Sequence, residues 1–447
     1  MRGGEAAERT PVDAPRRDVL LLCDYDPFQA QMVQDHIHAL ARCSRHRVHV
    51  LSFRGRLPRG LDLARFDAVI VHYSLFIYEE RCLDTESRQR LAAFAGVKAV
   101  FLHDEYKHVD RTKAALRELG TNILFTCFAA EAARGVYGDL IAQGLQAVPV
   151  LTGYVSQALL DLPAGRPIAQ RPIDIGYRGR LYPAWHGELG QDRVRIAERI
   201  TADAPRFHLN VDLSIAERDR LYGRRWLAFL QSCKCVLGTE SGASVVDFTG
   251  AIARAVEAHR QRDRSVSYEE LRRRYFAEVE HRIPMAQISP RLFEAIAAGA
   301  ALLLYEGGYS GRLRAGEHYF PLRRDHANFG DAAAFIRDSA RVEAMAARAR
   351  HDVLHAPENH ERALVAVVDA ALAARMQAPA VGGYDTADFV RRFGRYDAIL
   401  RPAVVRRQAV ALAARGYHAF ARHLPGAVEG RVRAVLKRTL GRDNIQP

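Results

Sequence analysis

From residue 18 onward, short apolar runs rich in β-branched residues alternate with stretches of helical periodicity. The runs fall at 18–23, 47–53, 66–72, 97–103, 122–128 and 147–151. Between them, 28–42, 84–94, 111–119 and 129–143 read as helices. Strands of this kind, separated by helices of this length, predict a parallel sheet covered on both faces. Right-handed crossovers make it a doubly wound, Rossmann-like domain over 18–152, behind a flexible N-terminus at 1–17. Residues 153–172 then turn polar and carry Pro163, Pro167 and Pro172, the composition of a linker. The alternation restarts with strands at 173–177, 207–213, 234–238, 301–305 and 318–322. Helices are expected over 192–201, 215–231 and 290–298, and again up to about 376. Ser289 followed by Pro290 supplies a hydroxyl N-cap and a proline at the first helical position. A second doubly wound domain is therefore expected over 173–383, interrupted by an Arg/Glu-rich helical insertion at 242–285. The fold class is α/β: two Rossmann-like parallel-sheet domains facing a cleft, followed by a basic helical tail over 384–447.

Charge changes the picture only at that tail. The chain of 447 residues carries 65 Lys+Arg against 52 Asp+Glu, a formal net charge of +13. Residues 384–447 hold 13 of the basic and 5 of the acidic residues, so +8 is concentrated there. Pro425 opens a helix in which Val428, Val432, Val435, Leu436 and Leu440 follow helical spacing before Gly441. Arg431, Arg433, Lys437, Arg438 and Arg442 occupy much of its remaining surface. Two placements stand. Such a helix can lie in an anionic membrane interface, or it can pack on the first domain and expose its arginines. The bias also has a compositional reading, because the chain has only five lysines and is dominated by Arg and Ala.

No run of about 18 uninterrupted apolar residues is present, and no apolar segment follows the first charges, so neither a membrane span nor a secretory leader is expected. The six cysteines form no CxxC pair and sit mostly in strand-like runs. They read as reduced core residues of a cytoplasmic protein, with peripheral attachment to the inner face of the membrane as the tail's contribution.

In open parallel sheets ligands bind beyond the carboxyl ends of the strands, so the residues following each strand are the candidates for chemistry. Asp24 and Asp26 follow the first; such a pair can hold a divalent cation, although a turn before a helix also favours Asp. His103-Asp104-Glu105-Tyr106-Lys107-His108 follows the fourth, where His103 or Asp104 can polarise an acceptor hydroxyl or steady charge on a reacting sugar. Gly176-Tyr177-Arg178-Gly179-Arg180 opens the second domain. Glycine lets a diphosphate approach the backbone, and Arg178 and Arg180 can bond its oxygens in pairs. Gly238-Thr239-Glu240-Ser241-Gly242 forms a small polar loop suited to phosphate or sugar. Glu294, in the first turns of its helix, can accept from two ribose hydroxyls or simply complement the helix dipole. Glu306-Gly307-Gly308 begins another loop toward the cleft. Absent signatures exclude other chemistry: there is no GxGxxG for NAD, no P-loop for ATP, and no His/Cys spacing for zinc. No cofactor and no metal are expected, and with no nucleic-acid motif, nucleic acid is not the expected partner.

Arg291-Leu292-Phe293-Glu294-Ala295 with Gly299, a strand, Gly316-Glu317-His318-Tyr319 and Pro321-Leu322 resembles the second domain of GT-B-fold glycosyltransferases, nearest the group-one and spore-maturation-protein-like types. Gly176 to Arg180 is similar to their opening strand and Gly-Arg turn. The resemblance implies transfer of a sugar from a nucleotide-diphosphate sugar to an acceptor: a cell-envelope glycan, a lipid-linked compound or a small molecule. It also implies Glu294 on the donor ribose and basic residues on the diphosphate, with Arg178, Arg180, Glu240, Ser241, Arg291, Gly307 and Gly308 as the donor-binding set and His103 and Asp104 as the catalytic pair. Retaining members of the family carry a second Glu eight residues before the first. Here Ala286 stands in that place, with Gln287 beside it, and this leaves retention or inversion open. A non-catalytic protein using its tail on nucleic acid or membrane, and a nucleotide-sugar epimerase of the same fold, are the alternatives.

Overall fold

A computed structural model describes residues 16–394, apart from 27–29, 284, 378–379 and 381. The first domain alternates β1 (Asp18–Cys23), α1 (Gln31–Cys43), β2 (Arg47–Ser52), β3 (Ala68–Val71), α2 (Thr85–Ala93), β4 (Val97–Phe101), α3 (Val109–Leu119), β5 (Ile123–Thr126), α4 (Ala130–Ala142) and β6 (Gln146–Pro149). Its sheet has the order β2-β1-β3-β4-β5-β6, and every pair is parallel. β1 is buried throughout because its alternate residues feed two cores: Leu20 and Leu22 pack on one face, Val19, Leu21 and Cys23 on the other.

The linker contains one turn of helix, α5 (Gln157–Leu160). The second domain runs β7 (Ile173–Arg178), α6 (Glu188–Asp203), β8 (Val211–Ser214), α7 (Gly223–Ser232), β9 (Cys233–Gly238), β10 (Ser241–Ala243), α8 (Ala251–Arg262), α9 (Tyr268–Tyr275), β11 (Met285–Gln287), α10 (Pro290–Ala297), β12 (Ala301–Tyr305), β13 (Phe320–Leu322), α11 (Phe329–Arg337) and α12 (Ser339–Ala349). Five of these strands form a parallel sheet in the order β13-β12-β9-β7-β8. Both sheets are thus wound alike. In each, the strand order reverses beside the first strand, between β1 and β3 and between β7 and β9, which sets two switch points for ligand binding.

Two details differ from the periodicity. The helix expected from 215 starts at Gly223, because a 3₁₀ turn at Glu217–Asp219 and a 2.7 Å bond from the Ser214 hydroxyl to Asp219 occupy the intervening chain. The helical insertion is also closed by an antiparallel ribbon of β10 and β11. There Gly242 has φ +112, and a Cβ on it would lie 1.7 Å from the Met285 carbonyl oxygen, so only glycine fits.

Several contacts tie the domains together. The Tyr106–His108 backbone exchanges bonds of 2.8 and 2.9 Å with Asp247 of the insertion. Thr152 donates its hydroxyl to the Ile288 carbonyl at 2.7 Å, and the Gln287 amide donates to the Cys127 carbonyl. The chain also crosses back. Leu364, Val365, Val368 and Leu372 of α13 (Glu361–Ala373) enter the core formed by Val19, Leu21, Ile37 and Leu40. Asp369 fastens that helix by accepting from Ser44 Oγ at 2.7 Å and Arg45 N–H at 2.8 Å. Tyr384, with Phe389 and Phe393 of α14 (Thr386–Phe393), joins the other core of the first domain. The tail as far as 394 therefore lies against that domain; the amphipathic helix expected from Pro425 to Gly441, like residues 1–15, lies outside the described residues. No helix among the described residues is long and apolar enough to cross a membrane. All six cysteines are free.

Candidate functional site

A cleft of about 560 Å³ opens between the carboxyl ends of the two sheets. The first-domain wall presents Asp24 after β1, Tyr73 and Ser74 after β3, and His103 to Lys107 after β4. The second-domain wall presents Arg178 to Arg180 and Tyr182 after β7, Arg193 from α6, Arg220, Trp226, Ser241, Gln287 and Arg291.

Most polar groups of the first wall already have partners. Asp24 Oδ2 lies 2.6 Å from Arg54 Nε, so this carboxylate is bound to a guanidinium. The Asp24 N–H donates to Ser74 Oγ at 2.9 Å; Ser74 in turn meets His72 at 2.9 Å, and His72 meets His36 at 3.0 Å. Burial keeps both imidazoles neutral, His36 down to about 3 and His72 also well below its ordinary value. Glu105 turns inward and accepts from the Thr126 hydroxyl (2.7 Å), the Cys127 N–H (2.6 Å) and the Tyr137 hydroxyl (2.7 Å). Burial outweighs those bonds and lifts its carboxyl to about 7.

His103 and Asp104 form a pair at the cleft surface. His103 Nε2 lies 3.1 Å from the Thr152 carbonyl oxygen and Nδ1 lies 3.4 Å from Asp104 Oδ1. With an oxygen facing each ring nitrogen, the imidazolium is favoured; burial opposes it, but the pKa still stands above the usual histidine value. Asp104 leaves 62% of its side chain open to the cleft. Desolvation works against its charge, yet His103 and the Tyr106 hydroxyl hold it at about 2, so it is ionised at any working pH.

The second wall is different. Arg178 is engaged by the Asp212 carboxylate and by the Tyr177 and Asp212 carbonyls, all at 2.9 Å, and lies over the Phe229 ring. Arg220 is paired with Glu217 at 3.1 Å. Arg180, Arg193 and Arg291 have no carboxylate partner among the described residues. Arg193 reaches the Gly242 carbonyl at 3.3 Å, Arg291 reaches the Arg178 carbonyl at 2.6 Å, and Arg180 and Arg193 lie 4.6 and 4.2 Å from the Tyr182 ring centroid. Lys107 faces them from the first domain, 5.4 Å above Trp185.

The structure thus brings His103, Asp104, Arg178, Arg180, Ser241 and Arg291 onto one cleft. Glu240, Gly307 and Gly308 form a separate cluster at the ends of β9 and β12. There the Glu240 carboxylate accepts from Tyr309 N–H at 2.8 Å, and a Cβ on Gly307 would stand 2.7 Å from it. Glu294 accepts from Trp226 Nε1–H at 2.6 Å; Trp226 lines the cleft, Glu294 does not, and burial raises its carboxyl. Arg193 and Tyr182 escaped the sequence reading. An arginine inside a helix reads as a solvated face, whereas Tyr182, two residues beyond Arg180 at a strand end, carried a signal of position.

Glu317, His318 and Asp352 form the one metal-ligating cluster among the described residues, and none of them lines the cleft. His318 Nδ1 accepts from Arg314 N–H at 3.1 Å, which places the ring proton on Nε2, facing Asp352 at 3.3 Å. Arg314 also bonds Glu317 at 2.8 Å, so the cluster is a closed ion-pair network rather than a cation site.

No protein-family model and no curated protein matches the chain. Solved structures similar to it include the pneumococcal O-GlcNAc transferase GtfA in complex with UDP and GlcNAc, at 15% identity and TM-score 0.34 over 69% of this chain. The chain spans 57% of that protein's length. Trehalose-6-phosphate from E. coli bound with UDP-2-fluoro glucose is 10% identical with TM-score 0.48, covering 81% of this chain and all 100% of the other. An alpha-glucosyltransferase in complex with UDP-glucose and DNA containing an abasic site is 8% identical with TM-score 0.46, covering 77% and 96%.

Proposed function

We propose that the chain is a metal-independent glycosyltransferase of GT-B architecture that takes a nucleotide-diphosphate sugar on its second-domain wall and an acceptor hydroxyl on its first. One observation carries this reading: Arg180, Arg193 and Arg291 gather at the second switch point with no carboxylate in ion-pair contact, Asp104 and Glu294 acting on Arg180 and Arg291 only across space. An anion arriving there displaces no ion pair, and each charge-assisted bond adds about 1.5–3 kcal/mol. Arg178, already occupied by Asp212, shapes the turn that presents Arg180. Glu294 stands behind Trp226 rather than on the cleft, and its expected contact with the donor ribose is what Glu294→Ala tests. Glu240 braces the loop at Gly307 and Gly308, and Ser241 lines the floor beside Arg193.

In the reaction the bond between the sugar carbon and the β-phosphate oxygen breaks, its electron pair leaves with the diphosphate, and the arginines stabilise the departing charge. The acceptor oxygen forms the new bond and gives its proton to Asp104, which His103 orients. The Arg291–Ala295 motif and the +8 charge of residues 384–447 support the finer reading, a group-one or spore-maturation-protein-like enzyme acting on a cell-envelope or lipid-linked acceptor at an anionic surface. The test is a calorimetric screen of UDP-, GDP-, TDP- and ADP-sugars against wild type and Glu294→Ala. Saturable binding of one donor, weakened in the variant, is expected. A chain that binds none of them is not a nucleotide-sugar transferase, and a donor converted to an isomer without acceptor makes it an epimerase.

A further inference from the structure

Resting on the diphosphate reading above, we propose that Tyr182 is a catalytic residue: its phenolic hydroxyl donates a hydrogen bond to the departing diphosphate. Tyr182 lines the cleft just past the end of β7, on the side of the second switch point. Its ring lies beneath two of the three guanidiniums that make no ion pair, those of Arg180 and Arg193 at 4.6 and 4.2 Å. An anion drawn between those cations comes to rest against the phenol.

Arg180 and Arg193 face the Tyr182 phenol, and a guanidinium has only protons to offer, so neither can take the phenolic proton. The tyrosine's own proton is then directed elsewhere, and no acceptor for it is found among the described residues. The diphosphate supplies that acceptor.

The surroundings strengthen the donor. Arg193 of α6, Arg180 and Arg291 of α10 face the phenol, together with Tyr106 of the first domain, Tyr177 of β7 and His186. Burial alone would push the phenol upward, but the three guanidiniums outweigh it and hold it below the ordinary tyrosine value. His186, in edge-on contact at 5.2 Å, is kept neutral by burial, down to about 3, and adds no competing cation. During transfer the electron pair of the broken sugar–oxygen bond collects on the β-phosphate oxygen. The phenol proton stays on tyrosine and bridges to that oxygen, so the bond strengthens as the charge develops and needs no co-reactant.

Tyr182→Phe keeps the ring beneath both guanidiniums and removes only the hydroxyl. With the donor found in the sugar-nucleotide screen, kcat is expected to fall about 10²-fold while KM changes less than about threefold. The direct readout is alkaline titration of tyrosinate absorbance with inorganic pyrophosphate as probe. Wild type should show one phenol ionising ahead of the rest, missing in Tyr182→Phe, and saturating pyrophosphate should move it to higher pH. If pyrophosphate binds by calorimetry but leaves that titration unmoved, or if the variant turns over at the wild-type rate, Tyr182 does not touch the diphosphate, while the transferase reading stands. If neither pyrophosphate nor any sugar nucleotide binds wild type, both fall.

Discussion

On the first-domain wall Asp24 is bonded to Arg54, Ser74 to His72, and Glu105 to three donors. On the second wall, at the equivalent place in a sheet of the same winding, Arg180, Arg193 and Arg291 stand without a carboxylate in ion-pair contact. The same strand order therefore carries two different surfaces. One is internally satisfied and exposes the His103–Asp104 pair, a surface suited to orienting a neutral hydroxyl. The other holds arginines outside any ion pair, a surface suited to an anion whose charge grows during reaction. The winding creates the two crevices, and the residues immediately after the strands decide what each receives.

Three variants probe that division, and the largest effects lie at the chemistry. Asp104→Asn should lower kcat about 10²–10⁴-fold with donor affinity nearly unchanged, because it removes the proton acceptor and leaves the second wall intact. Steady-state kinetics beside calorimetry separates the two quantities. Arg180→Ala with Arg193→Ala should weaken binding of a nucleoside diphosphate about 10²–10⁴-fold, the loss of two charge-assisted contacts. Arg178→Met should change that affinity less than about threefold but lower the melting temperature, because the Asp212 carboxylate loses its partner. Equal effects of Arg178 and Arg193 on affinity would break the distinction between occupied and unoccupied arginines.

Much of the architecture was legible because the buried strands are continuous apolar runs: β1, β9 and β12 stand out against polar turns. The ribbon of β10 and β11 was not. Each strand has three residues, and the two pair across the whole length of the insertion. The same limit applied to the site. Arg178 and Arg180 look alike in the chain, and only the pairing of β7 with β8 shows that Asp212 takes the first and not the second. Arg193 becomes visible once α6 is seen to turn that position toward the Gly242 carbonyl.

A smaller effect concerns the satisfied wall. Glu105 has a carboxyl raised to about 7 in the fold, against an ordinary value of 4.5. Between those two pH values the folded chain holds more protons than the unfolded one, so this group makes stability fall as pH rises from 4.5 to 7 and adds no slope above. The contribution is on the order of 1–3 kcal/mol, and Glu105→Gln should flatten it in denaturant titrations repeated across that range. A slope unchanged in the variant would place the titrating group elsewhere.

Calorimetric titration of nucleoside diphosphates into wild type, Arg54→Ala and the Arg180→Ala/Arg193→Ala double variant decides whether the second wall holds the diphosphate. Wild type should bind saturably, Arg54→Ala with nearly the same affinity, and the double variant about 10²–10⁴-fold more weakly with its melting temperature preserved. Equal binding by the double variant and wild type, or loss of binding in Arg54→Ala alone, would contradict that placement of the diphosphate.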